Sequence, residues 1–262
     1  MRLNRLYLTA AVLGTSVPRY QSFSSITMSG QIRAVTRSAS SSSISFPRTS
    51  VSLQLFDFDA NLLHEDLYPR VVEVLENAKE HGVEYCGVPG TTLIDSRQIL
   101  DFVQDNTSPV SLYATCGVHP YNAAENPLDN LEQIEELRRL INSSGCLGVG
   151  ECGLDYSEGF PSRDIQLQCF EQQLILALET AKPLYLHVRA AHSDFMEMMA
   201  KYGYSAETAS SLPTAAAVHC FTGTVDELRE YVSCGYYIGL TGYVTKLSME
   251  TLKTILQVFT CT

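Results

Sequence analysis

Residues 146–156 read Cys146-Leu-Gly-Val-Gly150-Glu-Cys-Gly153-Leu-Asp-Tyr156. The segment opens as a short apolar run, and Gly148, Gly150 and Gly153 fit the dinucleotide pattern G-x-G-x-x-G behind a strand. Its surroundings do not fit. The following Leu154-Asp-Tyr-Ser-Glu-Gly-Phe-Pro161 reads as loop rather than as the start of a helix, and Glu151 would set negative charge where a pyrophosphate has to lie. Nicotinamide and flavin binding are therefore set aside. Read as a ligand loop instead, the segment puts a carboxylate at a strand end, among glycines that let a cation and its substrate come close.

Working outward, short apolar runs alternate with segments of helical period about every thirty residues, the pattern of βα units on a parallel sheet. Seven strands are predicted: Leu53 to Phe58, Val83 to Val88, Ser111 to Val118, Cys146 to Glu151, Leu184 to Val188, Ala215 to Phe221 and Tyr236 to Leu240. Between them Leu67/Val71/Val74/Ala78, Leu128/Leu131/Ile134/Leu137/Ile141 and Phe170/Leu174/Ala177/Ala181 each form one apolar helical stripe. Lys182-Pro183 ends the fourth helix, and Gly223 and Gly235 bracket the sixth.

An open doubly wound sheet and a closed barrel both fit this alternation, but they place chemistry differently. An open sheet uses the two or three strands at its switch point, whereas a barrel gathers polar residues at the C-terminal ends of many strands around one mouth. Here they follow six strands in turn: Asp57/Asp59/Asn61, Thr91/Thr92, His119, Glu151 and Asp155, His187/Arg189, and His219. The reading is an α/β chain of the (β/α)8 TIM-barrel type, with only seven βα units present.

Glu151, His187 and His219 end three consecutive strands, so in a barrel they converge on the mouth. A carboxylate and two imidazoles suit a catalytic divalent metal with open positions, and no thiolate is evidently placed among them. A lone strand histidine is more often a satisfied core residue; three matched positions in succession are harder to dismiss. His119, in Gly117-Val-His-Pro120, is set at the rim by its proline, either to ligate or to hydrogen-bond a phosphate oxygen. Arg189, two residues beyond His187, offers a planar fork for phosphate or a salt bridge to a neighbouring acid. His192 stays a candidate close to the mouth, while His64 and His81 read as solvated surface.

The formal charge of −11 is unevenly spread. Residues 1–52 hold six arginines, no lysine and no acid, which leaves 12 basic against 29 acidic side chains in the rest. Arginine- and serine-rich, acid-free residues 1–51 read as a disordered transit peptide, with the mitochondrion expected ahead of the plastid; a start at Met28 would leave a cytoplasmic form. The body, residues 52–262, has no window apolar enough for a membrane helix. Eight scattered cysteines without a C-x-x-C pair read as buried free thiols rather than as a zinc knuckle or a disulfide framework. An acidic body also lacks the footprint of a general nucleic-acid coat protein, so any handling of phosphates needs bound cations.

These strings resemble the TatD family of metal-dependent deoxyribonucleases, in the amidohydrolase-like barrel superfamily. The matches are Gly117-Val-His-Pro120, Gly150-Glu-Cys-Gly-Leu-Asp-Tyr156, Gln166-x-x-x-Phe170-x-x-Gln173-Leu174, His187-Val-Arg-Ala-Ala-His192, His219-Cys-Phe-Thr-Gly-Thr224 and Tyr237-Ile-Gly-Leu-Thr-Gly242, in family order over residues 53–245. The resemblance implies that Glu151, His187 and His219 bind one or two divalent cations, Mg2+ first and Mn2+ or Zn2+ as alternatives, with Glu151 able to bridge. It implies that His119, Arg189 and His192 contact nucleic-acid phosphate. The implied reaction is phosphodiester hydrolysis by metal-bound water, exonucleolytic as in the group of this family that the strings resemble most, whose members act as magnesium-dependent 3′-5′ exonucleases on single-stranded DNA and RNA.

Three departures stand out. Asp57-Phe-Asp59-Ala-Asn61 replaces the frequent Asp-x-His-x-His, so Asp59 is expected either as an oxygen ligand or as a helix cap, with Asn61 beside it. Ala190 stands where the family usually has an acid. The family's eighth-strand Glu-Thr-Asp string does not occur, so the chain is expected to be a C-terminally truncated form, poorly stable at its bare edges and slow in turnover. Besides the nuclease reading, two others follow: a non-catalytic protein of the same fold that holds nucleotides or nucleic-acid ends, and an amidohydrolase acting on a small substrate.

Overall fold

A computed structural model describes residues 6–8 and 55–260. The serine- and arginine-rich leader expected over residues 1–51 lies outside the described residues except for 6–8, as do the first two residues of the strand expected from Leu53. The strands are β1 (Leu6–Leu8), β2 (Leu55–Asp57), β3 (Val83–Pro89), β4 (Ser111–Cys116), β5 (Cys146–Asp155), β6 (Leu184–Arg189), β7 (Ala216–Val218) and β8 (Tyr237–Leu240). Seven helices alternate with them: α1 (Val71–Glu80), α2 (Leu93–Asp105), α3 (Leu131–Asn142), α4 (Arg163–Thr180), α5 (His192–Lys201), α6 (Val225–Ser233) and α7 (Met249–Thr260).

Strands β2 to β8 lie side by side in chain order, every neighbouring pair parallel, and curl into a half-barrel. Residues 6–8 add parallel to β8, at the edge opposite β2, so the sheet runs β1-β8-β7-β6-β5-β4-β3-β2 and is open between β1 and β2 among the described residues. Parallel neighbours need a crossover, and the helices supply it while covering the sheet.

The helices start where the sequence offers caps. Thr92 accepts from the Asp95 amide at 3.0 Å, Asn130 from the Gln133 amide at 3.0 Å, and Thr224 and Glu227 form a reciprocal capping box on α6. Leu137, Ile141, Phe170, Leu174, Ala177 and Phe195 are buried, and Phe195 of α5 stacks on Phe170 of α4 with centroids 5.9 Å apart. The predicted stripes hold except at three positions next to helix ends. Leu67 and Leu131 are exposed, and Ala181 is the left-handed C-cap of α4, because a helix terminus points away from the sheet. No described helix is long and apolar enough to cross a membrane.

Two strand ends differ from expectation in a way that shapes the site. β4 stops at Cys116, not Val118, because Val118 gives its backbone to a side chain: its amide donates to Gln173 Oε1 at 2.8 Å and its carbonyl accepts from Gln173 Nε2 at 3.0 Å. β5 runs on to Asp155, four residues beyond the expected Glu151. Between Val149 and Cys152 it advances three residues while β6 advances two, from Leu184 to Leu186. The extra residue is a bulge, and it falls at Gly150 and Glu151.

Candidate metal centre

Glu151 owes its direction to that bulge. Its amide leaves the β5–β6 ladder and donates to the Gly90 carbonyl at 2.9 Å, which anchors the carboxylate between strands. The bulge needs glycine on both sides. Gly150 has φ +142 and a Cβ there would lie 2.2 Å from the Tyr185 carbonyl oxygen; Gly153 has φ +143 and a Cβ would lie 1.9 Å from that of His187. The glycines that imitate a dinucleotide fingerprint therefore serve close packing of β5 on β6.

The carboxylate meets three imidazoles. Glu151 Oε1 lies 2.6 Å from His219 Nε2, 3.2 Å from His187 Nδ1 and 3.4 Å from His119 Nε2. Two groups of three have ligand atoms all within 4.8 Å of one another, His119/Glu151/His187 and Asp59/His219/Cys220, and the Glu151–His219 contact joins them.

What each ring faces on its other side decides what it can do. His187 Nε2 is 2.9 Å from Asp155 Oδ2, so it donates there and leaves the Nδ1 lone pair toward Glu151. His219 Nδ1 is 3.3 Å from Asp59 Oδ2, which turns Nε2 inward. Nε2 is buried and, although 2.6 Å from Glu151, sits off the line a hydrogen bond requires. A carboxylate oxygen flanked by the inward nitrogens of two imidazoles, that of His219 without a hydrogen bond of its own, fits a divalent cation.

His119 is different. The Tyr121 amide donates to its Nδ1 at 3.1 Å, so the neutral ring carries its proton on Nε2. A ring that presents N–H is a donor to an anion rather than a ligand.

The electrostatics agree with this division. Burial alone would raise the Glu151 carboxyl, but the His219, His187 and His119 rings outweigh it and hold the group well below the usual carboxylate range. His219, in spite of burial, is raised well above its ordinary value by the Glu151 and Asp59 carboxylates. His187 is raised against burial by Asp155 and Glu151. His119 goes down to about 4, chiefly by burial, with the His187 and His219 charges adding and Glu151 opposing. Asp155, although partly desolvated, is held at about 2 by its bond to His187.

Of the other expected residues, Asp59 joins the cluster and caps no helix, accepting from His219 and from Cys220 Sγ at 3.1 Å. Cys220 corrects the expectation that no thiol lies among the ligands; with φ +45 it turns toward Asp59 directly after His219. Asn61 is exposed and its side chain contacts none of the cluster among the described residues. Arg189 is exposed at the end of β6, and its guanidinium has no side-chain partner among the described residues. His192 is taken up elsewhere, Nδ1 at 2.9 Å from the Tyr231 hydroxyl and Nε2 at 2.9 Å from Glu230. His64 and His81 are exposed, as expected.

Sequence reasoning placed Asp155 at a strand end, and Gln166 and Gln173 in a helix pattern, without roles, and it missed Tyr185. Tyr185 is buried with its ring 4.7 Å from that of His219. Gln173 clamps Val118, the residue before His119. Gln166 does the same for Asp155, with Oε1 accepting from its amide at 2.8 Å and Nε2 donating to its carbonyl at 2.7 Å. Their seven-residue spacing on α4 was visible; the strand ends they hold were not.

Residues 56–259 match the family described as TatD related DNase. Among similar proteins are two described as 3'-5' ssDNA/RNA exonuclease TatD. The one from Edwardsiella piscicida is 36% identical over 190 residues, covering 72% of this chain and 68% of its own; the one from Pectobacterium atrosepticum is 35% identical over 190 residues, with the same coverages. Among solved structures, a TatD family hydrolase from Entamoeba histolytica superimposes with a TM-score of 0.66 at 27% identity over 77% of this chain and 69% of that one. A TatD homologue from Escherichia coli gives 0.61 at 24% identity over 72% and 69%.

Proposed function

Because the chain belongs to the TatD-related DNase family, we propose that its Glu151 centre is a metal-dependent phosphodiesterase that works from the ends of single-stranded DNA, with RNA as a second substrate. The observation that carries this reading is a single carboxylate oxygen, Glu151 Oε1, between 2.6 and 3.4 Å from nitrogens of three imidazole rings at a half-barrel mouth.

Glu151, His187 and His219 would hold the first cation, and Asp59, with the Cys220 sulfur beside it, would offer donors for a second. A divalent ion bound there supplies positive charge to a phosphate and acidity to a water. The protein's own residues do the rest. Asp155 and Asp59 fix the two liganding rings by their outer nitrogens. His119, neutral and with its proton on Nε2, donates to a phosphate oxygen beside Glu151, and Arg189 offers its unpaired fork to the same or the next phosphate. His192, held by α6, has no such part. The binding-only reading is not favoured, since Glu151 still gathers three imidazoles and the relatives are exonucleases, and nothing in the site supports the small-substrate amidohydrolase.

The test is digestion of single-stranded oligonucleotides labelled at the 3′ or the 5′ end, with Mg2+, Mn2+ or Zn2+ after chelation. Mononucleotide release should stop in chelator, return with metal, and fall about 100-fold or more in Glu151→Gln. Undiminished activity in chelator or in that variant would overturn the reading. The acid-free composition of residues 1–51 supports a mitochondrial address. A fluorescent fusion that is retained in the cytosol would reject it.

A further inference from the structure

Beside His119 the mouth carries an aromatic pair that phosphate chemistry does not require. Tyr121, in the turn directly after His119, is 61% exposed. Its ring packs at 77° on Phe160, with centroids 5.3 Å apart, and Phe160 in turn lies 6.3 Å from the His119 ring. In an edge-to-face pair one ring uses its edge and the other a single face, so Tyr121 keeps at least one face open whichever part it takes. An aromatic face left open beside a group that donates to phosphate is placed to receive a planar ligand.

The backbone that carries both rings is anchored beside each of them. The His119 amide donates to the Thr91 carbonyl at 3.0 Å, and the Asn122 side chain donates to the same oxygen at 3.0 Å, bracketing Tyr121 on either side. Phe160 precedes Pro161, whose carbonyl accepts from Gln166 Nε2 at 2.8 Å. A ring on an anchored backbone, packed against a second ring, has less freedom to lose when a planar ligand settles on it.

We propose that Tyr121, backed by Phe160, is a stacking platform for a nucleobase of the single-stranded substrate, the base of a nucleotide whose phosphate is bound at His119. This rests on the nuclease reading and assigns its single-strand preference to a named ring. The platform selects unpaired strands, because a base inside a duplex has no free face to offer. It is indifferent to base identity and to the sugar, because every base has a π-face.

The test measures equilibrium binding and turnover of a single-stranded oligonucleotide and of the same oligonucleotide with abasic sites at its terminal positions, for wild type, Tyr121→Ala and Tyr121→Trp. For the base-bearing strand, Tyr121→Ala should raise Kd and KM by about 5- to 100-fold, with a much smaller change in kcat, and Tyr121→Trp should restore both. The abasic strand should bind wild type as weakly as the intact strand binds Tyr121→Ala, and the variant should weaken it little further. If wild type cuts the intact strand while Tyr121→Ala binds both strands as wild type does, or weakens both equally, the platform is wrong and the nuclease stands. If wild type neither binds nor cuts either strand, both readings fall.

Discussion

A histidine becomes a ligand only when something holds its other nitrogen, and Asp155 does this for His187. Replacing Asp155 with Asn keeps the volume and the turn acceptor for the Ser157 amide, which now bonds Asp155 Oδ1 at 2.9 Å, but removes the charged acceptor of His187 Nε2. The expected result is a 10- to 100-fold loss of divalent-cation affinity with the fold retained, read by calorimetric titration with Mn2+. Unchanged affinity would mean that the carboxylate does not orient the ring. Two imidazoles and a carboxylate also favour late first-row ions, so the same titration should rank Zn2+ above Mn2+ above Mg2+. Gly153→Ala acts at the same strand through sterics alone. A methyl 1.9 Å from the His187 carbonyl oxygen, at φ +143, cannot be absorbed without moving β5 or β6. A loss of about 3 kcal/mol or more in urea unfolding is expected, with cation binding impaired in whatever remains folded.

At the scale of elements, α4 sets the geometry of the mouth through two glutamines that a hydrophobic pattern would not place in a core. Gln173 satisfies both backbone groups of Val118 and Gln166 both of Asp155, so one helix fixes the ends of β4 and β5. Gln173→Leu would fill the space and strand the Val118 amide and carbonyl. At about 1–3 kcal/mol for each unpaired buried group, a loss of about 2–6 kcal/mol is expected in chemical denaturation, with His119, the next residue, displaced and KM raised. A near-neutral result would show that Val118 finds other partners. The limits of sequence reading appear here in physical form. Helical period exposed the Phe170/Leu174/Ala177 stripe, and apolar runs located the body strands to within a few residues. The β5 bulge was not legible, because an extra residue in one strand is defined only against its neighbour. Nor was the bond from Asp59 to His219, which joins strands 160 residues apart. The ligands Glu151, His187 and His219 could be read because each ends a strand of a regular βα repeat; the residues that aim them could not, because their pairing is fixed by the curl of the sheet and leaves no periodic trace.

Over the whole molecule, charge works against the substrate. With 29 acidic against 18 basic side chains, and six of the arginines in the first 52 residues, the half-barrel repels a polyanion at long range. The attractive elements are few and local: a cation centre, the Nε2–H of a neutral His119, and Arg189. Binding of a labelled, hydrolysis-resistant phosphorothioate oligonucleotide should therefore depend on metal far more than on salt. Chelation should weaken it about 10-fold or more. With metal present the slope of log K against log salt should stay between about −1 and −2, because a single strand contributes about −0.7 for each phosphate neutralised and only one to three phosphates meet positive charge. Fluorescence anisotropy across a salt series measures both. A slope steeper than about −4, or binding that survives chelation intact, would require a basic track along the surface, and the attraction would then have to come from somewhere other than the Glu151 centre.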